Sequence, residues 1–185
     1  PRLQSWATAS NPIYQLGLLP LLNQAINIYN TQFFPGGVQN PNYPDPGDTQ
    51  GYQGYLTEEY AFVLAFHSLI DPNPTNRSTY AKMARNILMV AMNQAVLGHQ
   101  SGVPFRDPLF AVYNRANENG EKWGLIVDWI HNATDLMNNP ILTAADKLTI
   151  RNVFLIWAND CINAYTTGGD HPAPGPKIWP SARRR

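Results

Sequence analysis

Cysteine is nearly missing from this chain of 185 residues: Cys161 stands alone. One thiol excludes an intrachain disulfide and any metal site built from several cysteines. Charge is thin as well. Charged residues make up 14%, against roughly 25% in ordinary soluble domains, and Asn, Gln, Ser and Thr take their place. Thirteen basic residues cancel thirteen acidic ones. No field over the whole surface draws a polyanion, so nucleic acid is not an expected partner; the three arginines at 183–185 are a local exception. No apolar run reaches the roughly 18 residues that a membrane span needs. Convincing strand alternation is lacking, and so are Gly-x-Ser-x-Gly, a P-loop and a dinucleotide glycine fingerprint. No His-x-x-x-His or His-Glu pair has metal spacing, so no metal or other cofactor is expected.

What is present is apolar and aromatic: 44% hydrophobic and 11% aromatic, enough for one globular domain over 1–185 with its own core. The pattern reads as all-α, about five helices in successive antiparallel hairpins. The first spans about 13–29, with Leu18, Leu22, Ala25, Ile26 and Tyr29 on one face and Pro20 as a kink or late start. Residues 33–56 form a long loop whose four prolines and five glycines forbid regular structure. Its aromatics (Phe33, Phe34, Tyr43, Tyr52, Tyr55) imply that it packs down or binds something. Thr57 reads as an N-cap ahead of Glu58 and Glu59, in a helix that "DPNP" stops after Ile70. A second helix runs from near Ser78 to a terminator at Gly98, with Ala84, Ile87, Leu88, Ala91 and Ala95 at helical spacing. The next is expected over about 121–137. The last opens at Thr143 with Asp146 three residues on, a near capping box. Ile150, Val153, Phe154, Trp157, Ala158, Cys161, Ile162 and Tyr165 keep its stripe for more than four turns. Apolar residues on several sides near 60–70 and 148–165 suggest inner helices. Residues 166–185 form a Pro-rich tail.

Chemistry concentrates in "DPLFAVYNRANENGEKWGLIVDWIHNAT", residues 107–134. If its loop folds over the helix start at Glu121, then Arg106, Asp107, Tyr113, Arg115 and Glu121 share one mouth. There Tyr113 exchanges a proton, Arg115 neutralises a carboxylate and Trp123 offers a ring face to a sugar. The structural alternative has Arg115 paired with Glu121 or Asp107, with Trp123 and Trp129 in the core. His67, among Phe66, Leu69 and Ile70, reads as a core histidine, while His99 and His171 are the accessible general-base candidates. Cys161 and Trp157 fall on the buried stripe. The triplets at Asn76 and Asn132 permit N-glycosylation.

The segments "NRANENGEKWGLIVDWIHNATDLM" and "LTAADKLTIRNVFLIWANDCINAY", with helix pairs and long aromatic loops before them, resemble the α/α-toroid domains of polysaccharide lyases of the alginate-lyase and heparinase type. The resemblance covers about 57–165. It implies β-elimination on a uronate polymer, with Asn114 or Arg115 neutralising the carboxylate and Tyr113 with His99 moving the C5 proton. Arg106, Asp107, Asn114, Glu121 and Trp123 are then substrate-binding candidates. A toroid of five to seven hairpins needs about 300 residues, roughly twice this length. The chain is therefore a piece of a longer protein, or an open array whose end faces need a neighbour.

Two readings follow. One is a carbohydrate-active domain that holds a glycan in an aromatic and arginine-lined groove, with lyase chemistry as its catalytic form. The other is a non-catalytic helical subunit that assembles with copies of itself or packs against the rest of a larger precursor. Sparse charge, many amides and plentiful Trp and Tyr suit a secreted, extracytoplasmic setting for either.

Overall fold

The computed structural model describes residues 2–8, 10–41, 56–100 and 120–166, without the side chains of 56, 97–100 and 160–166. Among the described residues the architecture is all-α. A single isolated bridge, Thr134 to Pro140, is the only strand-like pairing there. The main helices are α1 (Arg2–Trp6), α2 (Leu19–Ile28), α3 (Leu56–Ile70), α4 (Pro74–Gln100), α5 (Gly120–Ile130) and α6 (Ala144–Thr166).

Pro20 marks a late start: α2 opens at Leu19 with the proline in its first positions, and the helical run ahead of it is of another kind. A proline lacks the N–H of the i→i−4 ladder and its ring crowds the carbonyl four residues back. The chain answers with a wide π turn over Tyr14–Leu18, in which the Leu19 amide bonds the Tyr14 carbonyl, so helix continues past Pro20. A second π turn, Tyr29–Phe33, closes α2. The chain then reverses through a short 3₁₀ turn at Pro35–Gly37, where Gly36 and Gly37 take φ of 64° and 82°. Phe33 and Phe34 are buried, and Phe34 stacks on Tyr29 at 4.8 Å. The start of the long loop thus packs down. Its remaining aromatics, Tyr43, Tyr52 and Tyr55, lie outside the described residues.

α3 and α4 form the central hairpin, and their mutual packing is the most extensive in the molecule. α4 starts at Pro74, four residues before Ser78, because Asn73 caps it: the Asn73 side-chain oxygen accepts the Thr75 amide at 2.9 Å. Proline at the first helical position costs nothing there, since that N–H has no helical partner. Gly98 does not end α4, which runs on to Gln100. The expected face of α4 is buried, and Met83, Met89, Val90 and Met92 are buried beside it. Together with α3, then, α4 is the inner helix. α6 is not inner along its described part. It buries Ile150, Val153 and Trp157 but leaves Leu148 and Leu155 facing solvent.

α5 ends at Ile130 rather than near Met137. The Asp135 carboxylate is the reason. It accepts the Met137 and Asn139 amides, both at 2.8 Å, and the Asn139 side chain at 3.0 Å. Asn138 takes a left-handed φ of 64°, and the Ile141 amide returns to the Ala133 carbonyl. A side chain that satisfies so many local amides outcompetes the helix. α6 then opens on the expected reciprocal cap: the Thr143 amide donates to Asp146, and the Asp146 amide donates to the Thr143 hydroxyl. Asp therefore closes a capping box at the position where Glu or Gln is usual.

Candidate functional site

Helix directions decide which ends meet. Phe33, at the end of the α2 segment, packs edge-on against Tyr60 in the first turns of α3. Leu18 and Leu19, at its beginning, pack near Ile70 at the end of α3. α2 and α3 are thus antiparallel. α5 runs parallel to α3: Lys122 pairs with Glu59 at their starts, and Trp129 meets Phe66 at 5.4 Å near their ends. α4 returns alongside α3 after a three-residue turn. With 27 residues against 15, it overshoots the start of α3 by about 18 Å at 1.5 Å per residue. One end of the molecule therefore gathers the close of α2, the starts of α3 and α5 and the far end of α4. The described residues that flank 42–55 and 101–119 belong to these helix ends.

The first turns here carry acids where the helix dipole favours them. Glu58 is fully buried and Glu59 is half-buried; α3 starts one residue ahead of Thr57, which stands buried inside its first turn. Glu121 is exposed in the first turn of α5. Trp123 is 0% exposed. Its ring has no face open to a sugar, which corrects its assignment as a substrate-binding residue: one turn into α5, the side chain points at the α3–α4 core, not at the mouth. Its Nε1–H has no hydrogen-bond partner among the described residues. Trp129 also turns inward, against Phe62 and Phe66. His99 lies in the last turn of α4, at the gathered end. Tyr113, Asn114, Arg115, Arg106, Asp107 and His171 lie outside the described residues, as do the side chains of His99 and Cys161. Asn132 is exposed in the turn after α5, its side-chain oxygen 3.0 Å from His131 Nδ1. Asn76 is half-buried, with its amide donating to the Asp71 carboxylate.

The opposite end holds a cluster that residue spacing alone misses. His67 is buried, and its Nδ1 lies 2.8 Å from the Val63 carbonyl. A carbonyl only accepts, so Nδ1 carries the proton and Nε2 presents a lone pair. Nε2 is buried with no partner among the described residues. The ring lies 6.1 Å from that of Tyr14 and edge-on to Phe66. Burial pushes the imidazole pKa down; the Val63 carbonyl and the charge of Asp71 oppose that. Burial, then Asp71, pushes the Tyr14 hydroxyl up, and Tyr80 follows for the same reasons with Tyr14 added. The result is a neutral imidazole among neutral phenols. Asp71 itself is spent on the α3–α4 turn, accepting the Asn73 amide at 2.8 Å, while Arg77 binds its backbone carbonyl at 2.8 Å. His67 and Tyr14 are buried and Tyr80 is half-buried, so this cluster ties the end of α3 to α4 and to the helical run ahead of α2.

A third group joins three elements. Arg85 of α4 grips both oxygens of Asp146 at 2.9–3.1 Å. Its neighbour Asn86 donates to the Tyr29 hydroxyl at 2.8 Å. Among the described residues no group of three His, Cys, Asp or Glu side chains is placed to hold a metal, and no described helix is long and apolar enough to cross a membrane.

The class that the described residues define is an all-α fold. No family model, curated protein or solved structure matches the chain.

Proposed function

We propose that the gathered end of the array is a glycan-binding rim, and that the array is an arc of an α/α toroid of the polysaccharide-lyase kind, working outside the cytoplasm. One observation carries this reading. The starts of α3 and α5 are held side by side by Glu59 and Lys122, with Phe33 on Tyr60 beside them. The sequence of the segments joined to these helix ends carries Tyr43, Tyr52 and Tyr55 before α3, and Arg106, Asp107, Tyr113, Asn114 and Arg115 before α5. Rings for stacking on sugar faces and a guanidinium for a carboxylate are the chemistry a uronate polymer needs.

In the catalytic form Arg115 and Asn114 neutralise the uronate carboxylate, which acidifies the C5 proton. Tyr113 and His99 remove that proton and return one to the leaving oxygen. The C4–O bond breaks, a C4=C5 double bond forms, and no water enters. Glu121, exposed at the start of α5, stands at the edge of this rim as a hydrogen-bond acceptor for sugar hydroxyls.

The test is a panel of uronate and neutral polysaccharides, followed by the ultraviolet absorbance of the unsaturated product and by the thermal midpoint of the protein. The expected result is absorbance growth with one uronate polymer, lost in Tyr113→Phe at an unchanged midpoint. No growth with any polymer removes the lyase form. No shift of the midpoint with any polymer removes the glycan.

A further inference from the structure

Of the residues described ahead of α2, 2–8 and 10–18, only Ala7 and Tyr14 are buried. They join Ile70, with Leu18, Leu19 and Phe66 at the edges, in a small apolar cluster. Its buried members are distinct from those of the main core, which takes up the chain at Leu22. The Gln4 side chain adds one bond, to the Leu69 carbonyl at 3.2 Å. These residues form an arm laid over the end of α3. Between the arm and α2 lies the π turn, and Pro20 follows it. Gly17 of that turn is exposed, and a Cβ added there would meet nothing within 4 Å. A segment with so few buried contacts opens at a lower free energy than the body it rests on. A small residue free of packing, at the end of an element, is where such a motion hinges.

What the arm covers is a titratable group. His67 is 1% exposed, and its Nε2 has no partner among the described residues. Tyr14 of the arm lies against its ring, and Phe66 meets it edge-on. A proton on Nε2 would put a charge into this apolar setting, which is costly. Asp71, just past α3, favours the cation. Tyr14 and Tyr80 of α4 are neutral phenols. Arg77 of α4 is bound to the Asp71 carbonyl. Arg2 of α1 is exposed, and so are Asp128 and His131 at the end of α5. None of these groups bonds Nε2. With the arm lifted, the imidazole meets water and takes its proton near the ordinary value, so linkage favours the lifted state as pH falls. We propose that the arm is an acid-released cover: protonation of His67 lifts it off the end of α3 about Gly17, uncovering Phe66, His67 and Ile70 while α3 stays packed on α4.

Amide hydrogen exchange, read as protection relative to the intrinsic rate at each pH, tests it. The Ala7, Gln15 and Leu19 amides donate to the Leu3, Asn11 and Tyr14 carbonyls. Their protection is expected to lie below that of Ile87 and Leu88 in α4 at every pH. It should also fall several-fold between about pH 7.5 and pH 5.5, and by no more than about tenfold, the limit for one proton over that range. His67→Gln and His67→Phe, which cannot take the proton, flatten that fall. Tyr14→Ala, which removes the arm's largest anchor, strips protection from Ala7 and Gln15 already at neutral pH and leaves Ile87 and Leu88 protected. Arm amides as protected as those of α4 overturn the proposal, because the arm then opens only with the whole molecule. So does arm protection that does not change with pH, a fall that persists in both His67 variants, or an arm still protected in Tyr14→Ala.

Discussion

A buried imidazole whose second nitrogen has no partner among the described residues is one that proton uptake disturbs. His67 holds its Nδ1 proton against the Val63 carbonyl, and burial keeps its pKa below the ordinary 6.5. In the unfolded chain it titrates near that ordinary value. As pH falls below about 6.5, the unfolded chain takes up a proton that the folded chain resists. Stability is therefore full above that pH and declines as pH drops toward the lower folded value. Tyr14 and Tyr80 stay neutral through this range, and Asp71 softens the effect without reversing it. The urea midpoint is expected to fall between about pH 7 and pH 5.5, and His67→Phe should remove that part of the slope. An equal slope in both proteins would show that His67 does not titrate as described. Arg85 gives a second residue-scale prediction. Removing it leaves the nearly buried Asp146 carboxylate, whose side chain is 9% exposed, without its cation. Arg85→Met should cost about 2 kcal/mol by chemical denaturation, and Asp146→Asn, which keeps the Thr143 cap, should cost less. Sequence neighbours identify His67 as a core residue. They say nothing of the Arg85–Asp146 pair, whose members lie 61 residues apart.

Element boundaries turn on which local hydrogen bonds win. The Asp135 turn ends α5 because one carboxylate satisfies two amides and a side chain. Those bonds, the Asn139 side chain first and its amide next, hold the Asp135 pKa below 3.8. A depressed carboxylate adds stability that is present above the unfolded pKa and lost as pH falls through the folded one. Protection of the Met137 and Asn139 amides, relative to their intrinsic exchange rate at each pH, should fall below about pH 3.8, and in Asp135→Ala it should be lost at neutral pH. Slow exchange in that variant would mean that the turn stands without the carboxylate. The Thr143 and Asp146 cap was legible in sequence because a capping box is a fixed four-residue signal. The Asp135 turn was not: "TDLMNNP" allows continued helix as readily as an Asx turn, and only the return of Ile141 to Ala133 decides. The start of α4 was readable in principle from Asn73-Pro74, a cap followed by a first-position proline, but the same residues also serve as the stop for α3. At Pro20 a kink or a late start is the expectation, and α2 does start at Leu19; the π turn that precedes it, Tyr14–Leu18, is a solution that composition does not announce.

At the scale of the whole molecule the central fact is α4. Helical spacing marks one of its faces, but the methionines and valine on its other sides are buried too, because α3, α5 and α6 all pack on it. The stripe of α6 is the stronger sequence signal, yet part of α6 stays exposed. Periodicity reports the contrast between faces, so a helix buried nearly all round looks weaker than one half-buried. Likewise the neighbourhood of helix ends is readable only as a possibility of hairpin order, and the pairing of Glu59 with Lys122 is what sets the starts of α3 and α5 side by side. A core organised around one helix should lose stability as a unit. Ile87, fully buried in the middle of α4, has no room to be replaced from solvent, so Ile87→Ala forfeits its transfer energy and leaves a cavity. The expected cost is about 3 kcal/mol. That loss should move the transition seen by circular dichroism and the one seen by tryptophan fluorescence by the same amount, since Trp123 and Trp157 report on α5 and α6 from the same core. Leu155→Ala, on the exposed side of α6, should stay within about 0.5 kcal/mol. If fluorescence and circular dichroism separate in Ile87→Ala, then α5 or α6 holds together without α4, and the array is two cooperating units.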